Sequence, residues 1–340
     1  MFPALIEKLQ QRQDLTTDEA AAAMAAIMDG AATSVQTAGL LTALRLKGER
    51  PAEIVGLARS MRERAVRLGR HYPDVFDTCG TGGDGGGTFN VSSLVALSVA
   101  ACGVRVAKHG NRSVSSRSGS ADVFEALGVN IAAPPAVVER CLEGAGIAFF
   151  FAPTFHPSMR HAAQTRKELG IRTAFNLLGP LTNPVGARRQ LVGVPRPELT
   201  ELVARSLALL GTERAWVVHG ADGIDEISTT GYTKVSECRA GFVRTFFLHP
   251  SDFGVARASL GDLAGGDPAA NAMMAREILA GGHGARRDIV VLNAGASLLV
   301  AGRVGSIVEG MEQAAAALDS GAALATLERM ATLSRGEGPA

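Results

Sequence analysis

The chain has 340 residues, enough for one large domain or two unequal ones with ample core. Hydrophobic residues make up 46% and charged residues 20%, an ordinary globular balance, and the net charge of +1 gives no bulk electrostatic reason to expect nucleic-acid or membrane binding. The four cysteines, Cys79, Cys102, Cys141 and Cys238, lack CxxC spacing, which argues for reduced buried thiols over a zinc site or a disulfide framework.

The opening "MFPALIEKLQQRQD" carries charge too early for a signal peptide, and no apolar run approaches a bilayer span, so a cytoplasmic protein is expected. The first seventy residues read as helices alone. In "TTDEAAAAMAAIMDG", Thr16 and Glu19 have capping-box spacing and Gly30 supplies a stop. A second helix is predicted from Ser34 to a stop at Gly48, with Leu40, Leu41 and Leu44 at helical spacing. A third starts with Pro51 in its first turn and ends at Gly69. Three or four amphipathic helices without strands predict a small helical domain over residues 1–70.

After His71 the pattern changes. Short apolar runs ("DVFDTCG", "GVRVAKHG", "GIAFFFA", "RQLVGV", "RAWVVHG") alternate with helical patterns such as "PPAVVERCLEGAG" and "RPELTELVARSLALLG". Alternation of this kind predicts a mainly parallel sheet flanked by helices, so residues 71–340 are expected to form a larger α/β domain. "TKVSECR" and "GFVRTFFL" read as an antiparallel excursion, and Ala-rich helices return from about Asp267. Trp216, inside a predicted strand, is expected in the core. In such sheets ligands bind beyond the carboxyl ends of the strands, so the loops after the strands carry the function.

Four of those loops hold chemistry. The first, "GTGGDGGGTFNVSS", packs six glycines between Gly80 and Gly87 and then enters a helix. Glycine lets backbone N–H groups approach an anion, the helix presents its positive end, and Thr81, Thr88, Asn90, Ser92 and Ser93 add neutral donors. It is neither a Walker A loop nor a GxGxxG fingerprint. The second, "KHGNRSVSSRSGS", crowds Lys108, His109, Arg112 and Arg117 beside five serines, a composition suited to a diphosphate. The third, "HGADGIDEIS", sets Asp225 and Glu226 side by side as hard oxygen ligands for Mg²⁺ beside substrate phosphates. In the fourth, "FAPTFHPSMRHAAQTRKELGIRTAFNLLGPLTNP", Pro157 is expected to begin a helix bearing Met159, His161 and Arg166. Arg166 is a candidate clamp for a carboxylate, and His156 and Met159 are candidates to line a pocket for a planar ring. There is no GxSxG elbow and no identifiable nucleophile–base pair, so no residue is assigned as acid or base. The chemistry indicated is displacement at a phosphate-bearing sugar, with loop donors and metal stabilising the leaving group.

The segments "GTGGD" with "TFNVSS", "KHGNR" with "SGSADVFEALG", "RKELGIRTAFNLLGPLTNP", "DGIDEIS" and "NAMMAREILAGGHGARRDIVVLNAGASL" occur in this order along essentially the whole chain. Together they resemble the anthranilate phosphoribosyltransferase family, which is related to the pyrimidine nucleoside phosphorylases. The resemblance implies a helical domain, joined by helical residues from about 157–183, on a larger α/β domain, with homodimers formed through the helical part. It implies transfer of phosphoribose from phosphoribosyl pyrophosphate to the amine of anthranilate, a step of tryptophan biosynthesis. Phosphoribosyl pyrophosphate would meet Gly80, Gly83, Asp84, Thr88, Asn90, Val91, Ser92 and Ser93. In the second loop it would meet Lys108, His109, Gly110, Asn111, Arg112, Ser113, Val114, Ser115, Ser116 and Ser120. Anthranilate would meet Gly80, Asn111 and Arg166; Ser92, Asp225 and Glu226 would hold Mg²⁺, with two ions per subunit. For Asp84 we expect a hydrogen bond accepted from a ribose hydroxyl, the anthranilate amine or a metal-bound water. Ser93 stands where the family more often has Thr, which keeps the hydroxyl.

Two rival readings fit less well. A pyrimidine nucleoside phosphorylase would carry Lys-His-Ser where this chain has "KHGNR", and would give Arg166 no carboxylate to bind. A non-catalytic nucleic-acid-binding relative would show eroded phosphate loops and a basic excess, against intact loops and a net charge of +1.

Overall fold

Four helices open the chain: α1 (Phe2–Gln10), α2 (Thr17–Met28), α3 (Ser34–Lys47) and α4 (Pro51–Glu63). This is a computed structural model, and it describes residues 1–83, 87–113 and 117–337. The capping box of α2 forms as its spacing requires, with Glu19 N donating to Thr16 Oγ1 at 3.1 Å and Thr16 N to Glu19 Oε2 at 2.7 Å. α3 begins at Ser34 as expected, with Thr33 and Gln36 making a second box. α4 ends at Glu63, six residues short of the Gly69 expected from the sequence. There the Arg64 guanidinium turns to Asp29, at 2.8 and 2.9 Å, and Val66 N donates to Phe155 O at 2.8 Å. The chain is therefore committed to crossing toward the second domain instead of extending the helix. Met24, Ile27, Leu40, Leu41, Leu44 and Leu57 fill the space between these helices. Glu53, fully buried, accepts from Leu15 N at 2.9 Å, Arg50 N at 2.8 Å and Lys47 Nζ at 3.0 Å, so its charge is compensated.

The described residues of the larger domain form a seven-stranded sheet. Its strands are β1 (Phe76–Gly80), β2 (Val106–Gly110), β3 (Ile147–Phe151), β4 (Arg189–Gly193), β5 (Arg214–Gly220), β6 (Thr233–Arg239) and β7 (Phe242–Leu248), in the order β3-β2-β1-β4-β5-β6-β7. The first five are parallel and buried, as their nearly uninterrupted apolar runs led one to expect. β6 and β7 are the antiparallel excursion read from the sequence, joined by a hairpin turn with positive φ at Ala240 and Gly241. Trp216 is buried in β5 and donates from Nε1 to Glu237 Oε1 at 3.0 Å.

α5 (Val91–Ala101) links β1 to β2; α6 (Ser120–Ala126) and α7 (Pro135–Gly144) link β2 to β3. Between β3 and β4 run α8 (Ala152–Phe155), a 3₁₀ turn at Pro157–Met159, α9 (Arg160–Leu169), α10 (Phe175–Leu178) and a second 3₁₀ turn, Gly179–Thr182. α9 packs on α2 and α3, and α10 with the second turn on α4, so this excursion lies against the helical domain. α11 (Leu199–Leu209) joins β4 to β5 and also packs on α4. α12 (Pro268–Leu279), α13 (Ala285–Ala301), α14 (Ile307–Asp319) and α15 (Ala322–Ser334) follow β7, with α5 and α13 buried on nearly every side.

This order has a positional consequence. Strands β1, β2 and β3 step one way across the sheet, while β4 and β5 lie on the other side of β1. The topological switch point is therefore the gap between β1 and β4, whose last residues, Gly80 and Gly193, are directly paired.

Candidate active site

The carboxyl ends of β1 and β2 open into a cleft of about 570 Å³, roofed by Met61 of α4 and by Met159 and Arg166 on the segment packed against the helical domain. It brings together Gly80, Gly83, Thr88, Asn90, Val91 and Ser92 of the first loop. From the second it takes Lys108, His109, Gly110, Asn111, Arg112, Ser113 and Ser120, and from elsewhere Arg166, Asp225 and Glu226. Ser93 is not on its wall: it is fully buried, its N–H donates to Asn90 O at 3.1 Å, and its Oγ has no partner among the described residues. Asp84, Val114, Ser115 and Ser116 lie outside the described residues.

Each end of the cleft has its own electrostatics. At the floor, Lys108 is 1% exposed, and its Nζ donates to Thr78 O at 2.6 Å and Ser92 Oγ at 3.3 Å. Burial pulls the ammonium's pKa down, against Asp77, Cys79, Glu226 and Asp225, which favour the charged form. Asp77, also fully buried, accepts from His109 N at 3.2 Å and Asn183 Nδ2 at 2.8 Å; burial raises its pKa, and Lys108 opposes the rise. Beside them Asp225 occupies space that a side chain on β1 or β4 would take. A Cβ on Gly193 would lie 2.9 Å from Asp225 Cβ, and one on Gly80 3.3 Å from its Cγ. Asp225, Glu226 and Ser92 thus offer a hard-oxygen donor set at the switch point, the chemistry Mg²⁺ prefers.

The other end suits a planar acid. Arg166 is mostly buried, has no ion-pair partner among the described residues, and stacks 5.1 Å from the Phe175 ring centroid. Burial without a counter-charge lowers its pKa. The rings of His109 and His156 lie 5.2 Å apart and are both buried. His109 Nδ1 donates to Gly179 O at 3.0 Å and His156 bonds the Thr182 backbone, so each ring is anchored to the same 3₁₀ turn. The two Nε2 atoms are left buried and unbonded among the described residues. Burial depresses these pKa values to about 3 and about 4, so both rings are neutral and Nε2 is an acceptor.

Arg112 points its charge elsewhere. Its guanidinium pairs with Asp122 at 2.9 Å and with both Glu125 oxygens, at 2.8 and 2.9 Å, on α6.

Residues 3–65 match the helical bundle domain of the glycosyl transferase family, and residues 72–324 match its a/b domain. The anthranilate phosphoribosyltransferase of Moorella thermoacetica is 54% identical, with 97% of each chain covered. The solved enzyme of Thermus thermophilus superposes with a TM-score of 0.91 at 46% identity, covering 97% of this chain and 99% of that one. The chain belongs to the anthranilate phosphoribosyltransferase family. A Saccharomyces cerevisiae phosphoribosyltransferase solved with phosphoribosyl pyrophosphate and Mg has a TM-score of 0.89 at 28% identity, with 98% of each chain covered. The same yeast enzyme has been solved with 4-fluoroanthranilate, with a TM-score of 0.86 at 26% identity and 99% of each chain covered.

Sequence reasoning missed Arg172 and Gly266 on the cleft wall of this phosphoribosyltransferase, among other residues of its lining. Arg172, between α9 and α10, donates from Nη2 to Thr81 O at 3.0 Å, and a Cβ on Gly83 would lie 2.6 Å from its Cζ. It sits inside the recognised "RKELGIRTAFN" segment, but nothing in its spacing separates it from a surface arginine. Gly266 joins from the approach to α12, more than 170 residues after the loop it touches. No helix among the described residues is long and apolar enough to cross a membrane.

Proposed function

We propose that the cleft binds phosphoribosyl pyrophosphate along its two glycine- and serine-rich loops and anthranilate beneath Arg166, and joins them with loss of pyrophosphate. The observation that carries this reading is one cavity with carboxylates, a hydroxyl and an ammonium at one end and, at the other, a guanidinium with no ion-pair partner among the described residues. The yeast relative's ligands, phosphoribosyl pyrophosphate with Mg and 4-fluoroanthranilate, fit the same division.

In this reading Gly80, Gly83, Asp84, Thr88 and Asn90 to Ser92 receive the ribose and diphosphate together with Lys108 to Ser116 and Ser120, while Ser93, buried behind Ser92, packs the helix that carries them. Arg166 pairs with the anthranilate carboxylate, and Gly80 and Asn111 flank the amine. Bound Mg²⁺, two ions on Ser92, Asp225 and Glu226, would neutralise charge on the departing pyrophosphate. The aromatic amine, neutral at pH 7, forms a bond to the anomeric carbon as the bond to pyrophosphate breaks, and the nitrogen then gives its proton to the departing pyrophosphate or to water. With pKa values near 3 and 4, His109 and His156 are poor general bases at pH 7, and neither is given an acid–base role. Catalysis is mainly orientation and charge stabilisation.

We further propose that residues 1–70 with about 157–183 make up the helical domain and 71–340 the α/β domain, that the enzyme works in the cytoplasm, and that it is a homodimer through the helical domain. Val35 and Leu46, three turns apart on one face of α3, are 79% and 76% exposed and would be covered by a second copy. Purified protein given anthranilate, phosphoribosyl pyrophosphate and Mg²⁺ should consume the fluorescent anthranilate. Folded protein that leaves the signal unchanged but phosphorolyses a pyrimidine nucleoside would overturn the reading.

A further inference from the structure

The closing segment that carries "NAMMAREIL" has no place in the chemistry above, yet it reaches the phosphate loops. Ahead of α12, Phe89 N donates to Leu263 O at 3.2 Å, and Gly265 N donates to Gly87 O at 2.7 Å. Thr88 and Ala264 form an antiparallel bridge between those two bonds. The approach is close enough that a Cβ on Gly265 would lie 2.7 Å from both Phe89 N and Thr88 O.

One turn into α12, Asn271 completes the contact. It is 2% exposed; its Oδ1 accepts from Gly266 N at 2.7 Å and its Nδ2 donates to Asn90 Oδ1 at 2.9 Å. Asn90 Oδ1 also accepts from Ser118 Oγ at 3.1 Å, and Asn90 Nδ2 donates to Ser118 O at 3.1 Å. Asn90 ends the first loop at the N-cap position of α5, its side chain turned away from the helix, while Ser118 lies near the end of the second loop. Three segments distant in sequence therefore meet at one carboxamide, whose orientation is fixed because both of its ends are engaged.

We propose that Asn271 is a positioning residue for phosphoribosyl pyrophosphate: through Asn90 it sets the spacing of the two loops that hold the diphosphate. The inference rests on the assignment of those loops made above. It also gives the closing segment a role, since the loops bond to this brace as well as to each other. The anthranilate end, around Arg166 and the 3₁₀ turn at Gly179–Thr182, has no bond to it among those described.

The test separates positioning from mere stability. Asn271→Asp keeps an acceptor for Gly266 N–H but replaces the donor to Asn90 with an oxygen facing Asn90 Oδ1; Asn271→Ala removes both. In the full-length enzyme with Mg²⁺, each should raise KM for phosphoribosyl pyrophosphate about tenfold, the loss of about one hydrogen bond's net worth, with KM for anthranilate within about twofold. Gly265→Ala, which disturbs the same brace through the backbone, should show the same selectivity and covers the case in which Asn271→Ala fails to fold. Variants that only melt lower, with both KM values unchanged or raised equally, would overturn the proposal. Wild-type protein that neither binds Mg²⁺-pyrophosphate nor uses phosphoribosyl pyrophosphate would instead overturn the assignment of the loops.

Discussion

Adding one methyl group at Gly80 should disable the metal site by displacing the Asp225 carboxylate. Gly80 ends β1, has no positive φ and is 3.3 Å, at its would-be Cβ, from Asp225 Cγ and closer still to Oδ2. Gly193, paired with it, lies against the Asp225 backbone: a Cβ there would be 2.9 Å from Asp225 Cβ, so the base of that side chain is packed between the two strand ends. In Gly80→Ala, Asp225 must therefore shift by about 1 Å to regain ordinary contact, and displacements of that size in a catalytic site cost roughly 100-fold in rate. Because the backbone conformation suits alanine, the melting temperature should change little. The assay is initial rate against Mg²⁺ concentration, by loss of anthranilate fluorescence. Gly80→Ala should need at least about tenfold more Mg²⁺ for half-maximal rate and lose about 100-fold in kcat/KM for phosphoribosyl pyrophosphate. A folded variant with wild-type Mg²⁺ dependence would refute the argument that Asp225 is held in place by the two glycines.

Arg166→Ala should raise KM for anthranilate about 10- to 100-fold, the worth of a charged hydrogen-bonded pair, and leave KM for phosphoribosyl pyrophosphate within about twofold; equal effects would remove the clamp role. Asp225→Asn with Glu226→Gln should raise the Mg²⁺ requirement by more than about tenfold, and unchanged dependence would remove the metal assignment. His109 and His156 have folded pKa values depressed to about 3 and about 4 from 6.5, so the unfolded chain binds protons that the folded one refuses. Their contribution to stability is full above pH 6.5 and declines as pH falls. Melting temperature should drop between pH 6.5 and 5, less steeply in His109→Asn; equal slopes would contradict the burial argument.

Much of the site was legible because its chemistry is local. The glycine loop, the lysine loop and the Asp225–Glu226 pair each follow a strand directly, so placing the strands placed these residues around one cleft. Helix starts were equally readable where a side chain makes the cap, as at Thr16. The end of α4 was not, because Arg64 and Val66 leave the helix for partners at Asp29 and Phe155 that no local pattern announces. Ser93 sits one position past Ser92 on α5, a rotation of about 100° that turns it from the cleft into the interior. Arg172, Gly266 and Asn271 were missed for the reason that hid the end of α4: each acts on a loop far away in sequence.

Gly82, Gly83 and Gly87 adopt positive φ, as a glycine-rich turn would require, but the glycines at the strand ends acquire a different reading. In sequence, a glycine-rich loop after a strand suggests backbone held bare for an anion. Gly80 and Gly193 do not use conformational freedom, and what crowds them is the protein's own Asp225. Gly110 likewise makes room for Phe149, 2.7 Å from its would-be Cβ, and Gly265 for the backbone of the first loop. Here the missing side chains let the protein bring its own groups close together. It follows that glycine-to-alanine changes at these positions should act through named neighbours and with different substrate selectivity. Gly80→Ala should act on the metal and Gly265→Ala on loop spacing, whereas a loop that was merely flexible would respond to both in the same way.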